Sequence, residues 1–292
     1  MRAAVLLSTL LSVSLNLMVS GCGLPADSAG HSEHALLAGA PCTATATTVD
    51  CTYEHRDLPV DLLKIIKRRV YFQQPQGTPP LGGWPVVLLF QGTFFSAELS
   101  FHGVKGEPFG AYYQALTVKQ LLDAGFAVVA PQTHLAGTTF WDSNIPPWSV
   151  AWELSPDHSF MLAIFDAIEG GKLGVLNPFR LYATGISSGG YMTSRMAVSY
   201  QGRFKALAIA SASYATCGGP LCIVPALPAN HPPTLFLHGQ QDPIVPAWTM
   251  DLYHTRLVAE GHKTQVILHD PASHEWIPES PDAVVNWFVA AP

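Results

Sequence analysis

Short apolar runs recur along the chain at the length of buried strands, and turn-forming Gly, Pro and Asn separate many of them. Residues 191–200, a segment that ends at 258–261 and residues 282–290 have the pattern of helices. The alternation of strands with helices predicts an α/β fold with a mostly parallel central sheet, flanked by helices on both faces. The strand-like runs are residues 85–90, 126–130, 179–184, 206–211, 234–238 and 264–269.

A five-residue motif, Gly185-Ile186-Ser187-Ser188-Gly189, lies where one predicted strand gives way to a predicted helix. It fits the Gly-x-Ser-x-Gly nucleophile elbow, a sharp strand-to-helix turn that lifts a serine hydroxyl out of a sheet. The alternative is an ordinary turn rich in Gly and Ser. Because the flanking segments read as strand and helix, we favour the elbow and predict that Ser187 is a nucleophile.

A serine nucleophile needs a base and an acid that orients the base, and candidates follow in the order Ser, Asp, His. Asp242 lies in the loop after the run at 234–238, and His274 lies in the loop after the run at 264–269. The carboxyl ends of parallel strands meet at one edge of a sheet, where active sites of this class lie. We therefore expect Ser187 to attack, His274 to transfer the proton and Asp242 to fix the imidazole tautomer.

Other carboxylates and histidines compete for the two supporting roles. One competing carboxylate falls in a predicted helix and the other opens a turn at a proline. Two of the histidines lie at or in strands, where a structural role is more common, and two lie on or beside a surface helix. The competing residues are Asp251, Asp270, His238, His254, His262 and His269.

An oxyanion hole is expected from two backbone amides. One belongs to Ser188, which follows the nucleophile, and the other belongs to the loop after the strand at 85–90. Gly92 and Thr93 are both candidates for the second donor, and the sequence does not choose between them.

Three segments together resemble the α/β-hydrolase superfamily, and within it the branch of polyhydroxyalkanoate depolymerases and feruloyl or acetyl esterases. They are residues 185–192, 238–246 and 274–276, and the resemblance spans about residues 65–290. Many relatives have His-Gly where this chain has Gln91-Gly92. The resemblance implies an α/β-hydrolase fold and a serine esterase that acts through an acyl-enzyme on an ester or polyester, as small extracellular depolymerases of medium-chain polyhydroxyalkanoates do. A feruloyl or acetylxylan esterase and a non-catalytic binding protein remain as alternatives.

Two aromatic segments are candidates for contact with the substrate. The long loop at 131–156 contains Trp141 and Trp148, which we expect to line an acyl-binding groove. The alternative is that both tryptophans cap the core under the loop. A second apolar segment runs from Phe94 and Phe95 through Phe101 to Phe109, and it would face the same site from the oxyanion side.

The amino terminus has the pattern of an export signal. Arg2 is the first charge before an apolar run at 3–19, which is too short and wrongly flanked for a stable membrane span. The run leads through small residues into Cys22, as in a bacterial lipobox, so we expect a lipidated, exported protein. The alternative is a secretory signal cleaved near Ala26. Membrane association is expected only through this anchor.

Composition and domain plan complete the prediction. The net charge of −6 with 12% charged residues argues against nucleic-acid binding. We expect a leader at 1–22, a tether and amino-terminal segment at 23–60 and one catalytic domain at 61–292. The domain is expected to act as a monomer, without a cofactor or a metal, since the histidines are scattered.

Four cysteines remain once Cys22 is set aside, an even number that indicates disulfides in an exported chain. Three connectivities are possible. The local pairs Cys42–Cys51 and Cys217–Cys222 are favoured because each closes a short loop.

Overall fold

A computed structural model describes residues 40–61, 63–218 and 221–291. The predicted leader, the lipidation site Cys22 and the tether up to residue 39 lie outside the described residues. Within those ranges, no helix combines the length and the apolar character that crossing a bilayer requires.

The described residues form strands and helices in the alternation that the sequence predicts. The helices are α1 (Ala111–Asp123), α2 (Pro156–Glu169), α3 (Ser188–Ser199), α4 (Ala247–Ala259) and α5 (Ser280–Val289). The strands are β1 (Cys42–Ala44), β2 (Thr48–Cys51), β3 (Glu54–Pro59), β4 (Lys67–Gln73), β5 (Trp84–Phe90), β6 (His102–Val104), β7 (Ala127–Pro131), β8 (Leu176–Ile186), β9 (Phe204–Ala210), β10 (Thr234–Gly239) and β11 (Thr264–His269).

Within the described part of the chain, eight strands form the main sheet in the order β11-β10-β9-β8-β5-β7-β4-β3. The pairs from β11 to β7 are parallel, and β4 and β3 continue the sheet as antiparallel strands at one edge. The prediction of a mostly parallel sheet is confirmed. The parallel strands end together, and this shared edge carries the candidate site.

Side chains of the central strand β5 alternate between two cores, one on each face of the sheet. Val87 and Leu89 pack into the core that contains residues of α1 and α5. Val86, Leu88 and Phe90 pack into the core that contains residues of α2 and α3. Because both faces are covered, β5 is apolar throughout, which explains why its run stands out in the sequence.

The described part of the amino-terminal segment, residues 40–60, packs together with the predicted catalytic domain. Residues from Ala40 onward belong to one compact unit with the rest of the described chain. Strand β3 pairs with β4 at the edge of the main sheet, and β1 and β2 form a small antiparallel sheet with β6. The segment is held because Val49 of β2 is fully buried in the core under α1.

Two disulfides join the local cysteine pairs that the sequence favours. Cys42–Cys51 links the ends of β1 and β2, which pair directly at these residues. Cys217–Cys222 closes a loop between β9 and β10.

Candidate active site

The predicted nucleophile lies at a sharp turn between β8 and α3. Ser187 has φ 57° and ψ −124°, a conformation that non-glycine residues rarely adopt. Its amide donates to the carbonyl of Ala210 on β9 at 3.1 Å, which fixes the turn against the neighbouring strand. The helix begins at once at Ser188, three residues earlier than the sequence pattern predicts.

Glycines allow this close junction of strand and helix. A Cβ added to Gly185 would lie 2.6 Å from the carbonyl oxygens of Gly189 and Phe90, and one added to Gly189 would overlap the backbone of Phe90. A side chain at either position would push α3 away from β5 and β8. The Gly-x-Ser-x-Gly pattern is therefore a steric requirement of this turn.

Asp242 and His274 meet at the ends of the adjacent parallel strands β10 and β11. The Nδ1–H of His274 donates to Oδ2 of Asp242 at 2.7 Å, and both side chains are buried. The loop that carries His274 can approach because Gly239 ends β10, where a Cβ would overlap the carbonyl of Ser273. The competing carboxylates lie elsewhere: Asp251 is exposed on α4, and Asp270 accepts from Gln241.

The carboxylate of Asp242 is held in its ionised form by four donors. Burial alone would raise the pKa of Asp242, but the bonds from His238 and His274 and from the Val245 amide outweigh it. They hold the pKa below its ordinary value. Oδ1 accepts from the amides of Ile244 and Val245 at 2.9 and 2.8 Å. A permanently charged partner is what an imidazole needs when it takes up a proton.

His238 supports the acid, a role that its strand position alone does not reveal. Its Nε2 lies 2.8 Å from the carbonyl oxygen of Val245 and 3.3 Å from Oδ2 of Asp242. Both partners are acceptors, so the hydrogen lies on Nε2. The sequence predicts a structural, hydrogen-bonded His238, and this geometry agrees with that. The sequence does not predict the contact between His238 and Asp242.

A cavity of about 510 Å³ opens beside the nucleophile, and both Ser187 and His274 line it. Apolar side chains form most of the wall near these two residues, and polar side chains lie in the wall as well. The apolar group is Phe94, Phe95, Leu99, Phe109, Ile186 and Ile244, and the polar group includes Ser100, His102, Glu107 and Gln114.

Two apolar residues of the cavity wall, Phe109 and Ile244, were predictable from the sequence to different degrees. Phe109 lies in the predicted apolar segment, and its ring meets the His274 ring edge-on at 6.2 Å. Its carbonyl accepts from the Trp276 amide at 3.0 Å, which ties the histidine loop to the start of α1. Ile244 was missed, although its position two residues after Asp242 was a signal. Phe101 from the same apolar segment is fully buried in the core.

The candidate oxyanion donors lie beside the nucleophile, and two of them line the cavity. The amide of Ser188 belongs to the first turn of α3, where an N–H has no partner within the helix. Gly92 and Thr93 line the cavity with Ser187, and a Cβ added to Gly92 would lie 3.8 Å from the Ser187 Cβ. Both expected sides of an oxyanion hole are thus brought next to the nucleophile.

Of the three residues predicted to contact substrate, Phe94 lies at the cavity wall and the two tryptophans do not. Phe94 is 75% exposed at the cavity wall. Among the described residues, Trp141 and Trp148 are not part of that wall. Trp141 is fully buried, with its indole N–H donating to the Gln91 carbonyl and its ring edge-on to Phe90. The position of Trp141 matches the alternative, that the tryptophan caps the core, since its large apolar ring fills the space under the loop.

A group of titratable side chains lies within the same loop and at the start of α2. His134, Asp142 and Asp157 have potential ligand atoms within 4.8 Å of one another, a spacing that could hold a metal ion. Oδ1 of Asp157 already accepts from Arg68 at 2.6 Å, so the guanidinium supplies the positive charge there. The bonds with Asp142 and Asp157 raise the pKa of His134 to about 9. This arrangement favours an ion-pair network over a metal site.

Comparison with known proteins finds a relative that matches over most of the chain. The chain is 49% identical over 268 residues to a poly(3-hydroxyoctanoate) depolymerase of Pseudomonas fluorescens, covering 89% of this chain and 94% of that protein. No protein-family model matches the chain.

Solved structures share the fold at low identity. A thermostable esterase superimposes with a TM-score of 0.59 at 17% identity, over 82% of this chain and 62% of the esterase. A truncated carbohydrate esterase from gut microbiota gives 0.58 at 15% identity, over 82% of this chain and 97% of the other. The chain therefore belongs to the family of the poly(3-hydroxyoctanoate) depolymerase, and it is a carboxylic ester hydrolase of the α/β-hydrolase fold.

Proposed function

We propose that this hydrolase cleaves polyhydroxyalkanoates with side chains of medium length, through an acyl-enzyme on Ser187. The observation that carries the proposal is the apolar cavity that Ser187 and His274 share, beside the buried Asp242–His274 bond. The likeness to a poly(3-hydroxyoctanoate) depolymerase supports the choice of polymer.

The proposed reaction gives each of the three side chains one role. Oγ of Ser187 attacks the ester carbonyl carbon while its proton passes to Nε2 of His274, the ring nitrogen that Asp242 leaves free. The amides of Ser188 and of Gly92 or Thr93 stabilise the oxyanion. The ester C–O bond then breaks, and the leaving alkoxide takes the proton from His274 to become a free hydroxyl end.

Water completes the cycle. His274 removes a proton from the water molecule as it attacks the acyl carbon, and the tetrahedral intermediate collapses to release the carboxylate product. Ser187 recovers its proton from His274. Since every ester must pass through the acyl-enzyme on Ser187, loss of Ser187 should lower turnover by several orders of magnitude on every ester.

A panel of substrates tests the choice of ester. Burial of each methylene contributes about 0.8 kcal/mol, so kcat/KM for p-nitrophenyl esters should rise about fourfold per methylene from acetate toward octanoate. We expect clearing of poly(3-hydroxyoctanoate) films and little release from feruloylated or acetylated xylan. A preference for the xylan substrates, or a flat chain-length profile, would assign the protein to the carbohydrate esterases instead.

We also propose that the protein is exported and anchored by a lipid on Cys22. The two disulfides support an oxidising compartment, because such bonds are rare in the bacterial cytosol. Mass spectrometry of the mature amino terminus tests the anchor. A diacylglyceryl-modified Cys22 at the amino terminus is the expected result, and an unmodified terminus near Ala26 would contradict it.

A further inference from the structure

Trp141 contacts both sides of the candidate oxyanion hole, although it does not face the cavity. Its indole N–H donates to the carbonyl oxygen of Gln91 at 3.1 Å, and its backbone N–H donates to Oγ of Ser188 at 2.8 Å. Gln91 immediately precedes the candidate donors Gly92 and Thr93, and Ser188 is itself the other candidate donor. We propose that Trp141 is a positioning residue that fixes the two sides of the oxyanion hole relative to each other, an inference that rests on the proposed function.

The bond to Gln91 controls the direction of a peptide group. The carbonyl of Gln91 and the amide of Gly92 belong to one planar trans peptide and point in opposite directions. The indole donor fixes the carbonyl and so fixes the amide. The next peptide is held in the same way, since the Phe95 amide donates to the Gly92 carbonyl at 3.4 Å. Without the indole donor, the first peptide loses a partner that keeps it from rotating.

The side chain of Gln91 holds the same turn from its other end. Its Nε2 donates to the carbonyl of Phe95 and lies 3.1 Å from Oγ1 of Thr133 and 3.2 Å from the Gly137 carbonyl. Gln91 is fully buried, so these bonds replace water that cannot reach it. The glutamine at this position thus joins the oxyanion turn to the loop that carries Trp141.

Trp141 is itself held rigidly by buried neighbours. The guanidinium of Arg68 lies over its ring at 5.6 Å, and Phe90 meets the ring edge-on at 5.2 Å. The next amide, that of Asp142, donates to Oδ2 of Asp157 at 2.7 Å. A rigid donor of this kind can preorganise the oxyanion amides before substrate arrives, which is the main requirement for electrostatic stabilisation of a transition state.

Trp141→Phe, which keeps an aromatic ring but removes the indole donor, tests the inference. We expect kcat on soluble p-nitrophenyl butyrate to fall about 10- to 100-fold, with KM changed less than about threefold. The inhibition constant of butylboronic acid, which forms a tetrahedral adduct on the nucleophile, should rise by a similar factor. Trp152→Phe is the matched control, because Trp152 is also buried and donates its indole N–H to Tyr200 at 3.2 Å, away from the oxyanion turn.

An isostere separates the lost hydrogen bond from lost packing. Benzothienylalanine at position 141 keeps the bicyclic volume without the N–H, so it should reproduce the fall in kcat while the melting temperature stays near that of the parent. A kcat within about twofold of the parent for this variant would overturn the inference, as would equal losses in Trp152→Phe. Ser187→Ala distinguishes this failure from that of the proposed function, because turnover near that of the parent in that variant contradicts the nucleophile itself.

Discussion

At the scale of single residues, the site depends on how Asp242 is surrounded. Its two oxygens accept from two amides and two histidines, and this set of donors holds the pKa of Asp242 below its ordinary value despite burial. The bond from Nδ1 of His274 sets the tautomer and leaves Nε2 free, which the proposed proton transfer from Ser187 requires. In the proposed mechanism, the charge on Asp242 also stabilises the imidazolium that forms in the transition state.

Asp242→Asn should lower kcat about 10³- to 10⁴-fold while leaving the fold intact, since an amide can donate to Nδ1 and so stabilise the wrong tautomer of His274. Steady-state kinetics on p-nitrophenyl octanoate measures the loss. Asp251→Asn and Asp270→Asn are the controls, because these carboxylates competed for the role in the sequence. Comparable losses in either control would mean that the acid is misassigned.

At the scale of elements, the loop between β7 and α2 is fixed by buried charges on three different segments. Arg68 of β4 pairs with Asp157 of α2 at 2.6 Å, and His134 of the loop lies 3.1 Å from the same carboxylate and 3.4 Å from Asp142. Ser155 caps α2 by accepting from the Asp157 amide and donates its hydroxyl to Asp142. Because Trp141 precedes Asp142, this network extends to the oxyanion turn.

The network predicts a loss of stability on the alkaline side. Hydrogen bonds with Asp142 and Asp157 raise the pKa of His134 from 6.5 to about 9, so the folded state binds the proton more tightly than the unfolded state. This contribution is complete below pH 6.5 and is lost as the pH rises through 9. Urea unfolding at several pH values should show this decline in the parent and a flatter profile in His134→Gln.

His55→Gln is the control for that series. His55 is an exposed residue of β3, and its ring lies beside Tyr71 rather than against Asp142 or Asp157. It should keep the alkaline decline of the parent. A parent whose unfolding free energy is constant between pH 6.5 and 9 would contradict the assignment of His134.

The sequence predicts an element correctly where its residue pattern fits only one structure. It fails where the pattern is absent or fits two structures. Strand β8 and the elbow could be read because apolar residues and glycines there serve both burial and close packing. Strand β3 was missed because its polar residues, exposed at a sheet edge, have no apolar pattern to detect. Trp141 was misplaced because burial under a loop and contact with a substrate both favour an aromatic residue.

At the scale of the whole molecule, exposed apolar side chains lie at the catalytic edge of a weakly charged protein. Phe94 and Ile244 belong to the cavity wall, and each exposes more than half of its surface. Only 12% of the residues are charged, so contact with an uncharged polyester removes water from few charged side chains. We therefore expect the cavity wall to contact both a single acyl unit and the polymer surface around it.

Phe94→Ser combined with Ile244→Ser should slow the clearing of poly(3-hydroxyoctanoate) films at least tenfold, because about 1.5–3 kcal/mol of burial is lost per side chain. Hydrolysis of p-nitrophenyl acetate should stay within about threefold, since acetate does not reach those side chains. Phe179→Ser is the matched control: Phe179 is equally exposed but lies near the opposite end of β8. Equal losses on the film and on acetate would contradict this role.

The central claim is that Ser187 forms an acyl-enzyme, with His274 as the base and Asp242 as the acid that orients it. Covalent labelling tests this claim most directly. The protein is treated with an alkyl fluorophosphonate, digested and mapped by mass spectrometry, in parallel with Ser187→Ala. The account predicts one adduct, on the peptide that contains Ser187, with loss of esterase activity in proportion to labelling and turnover lower by several orders of magnitude in the variant. An adduct on another residue, or ester hydrolysis in Ser187→Ala at a rate near that of the parent, would contradict it.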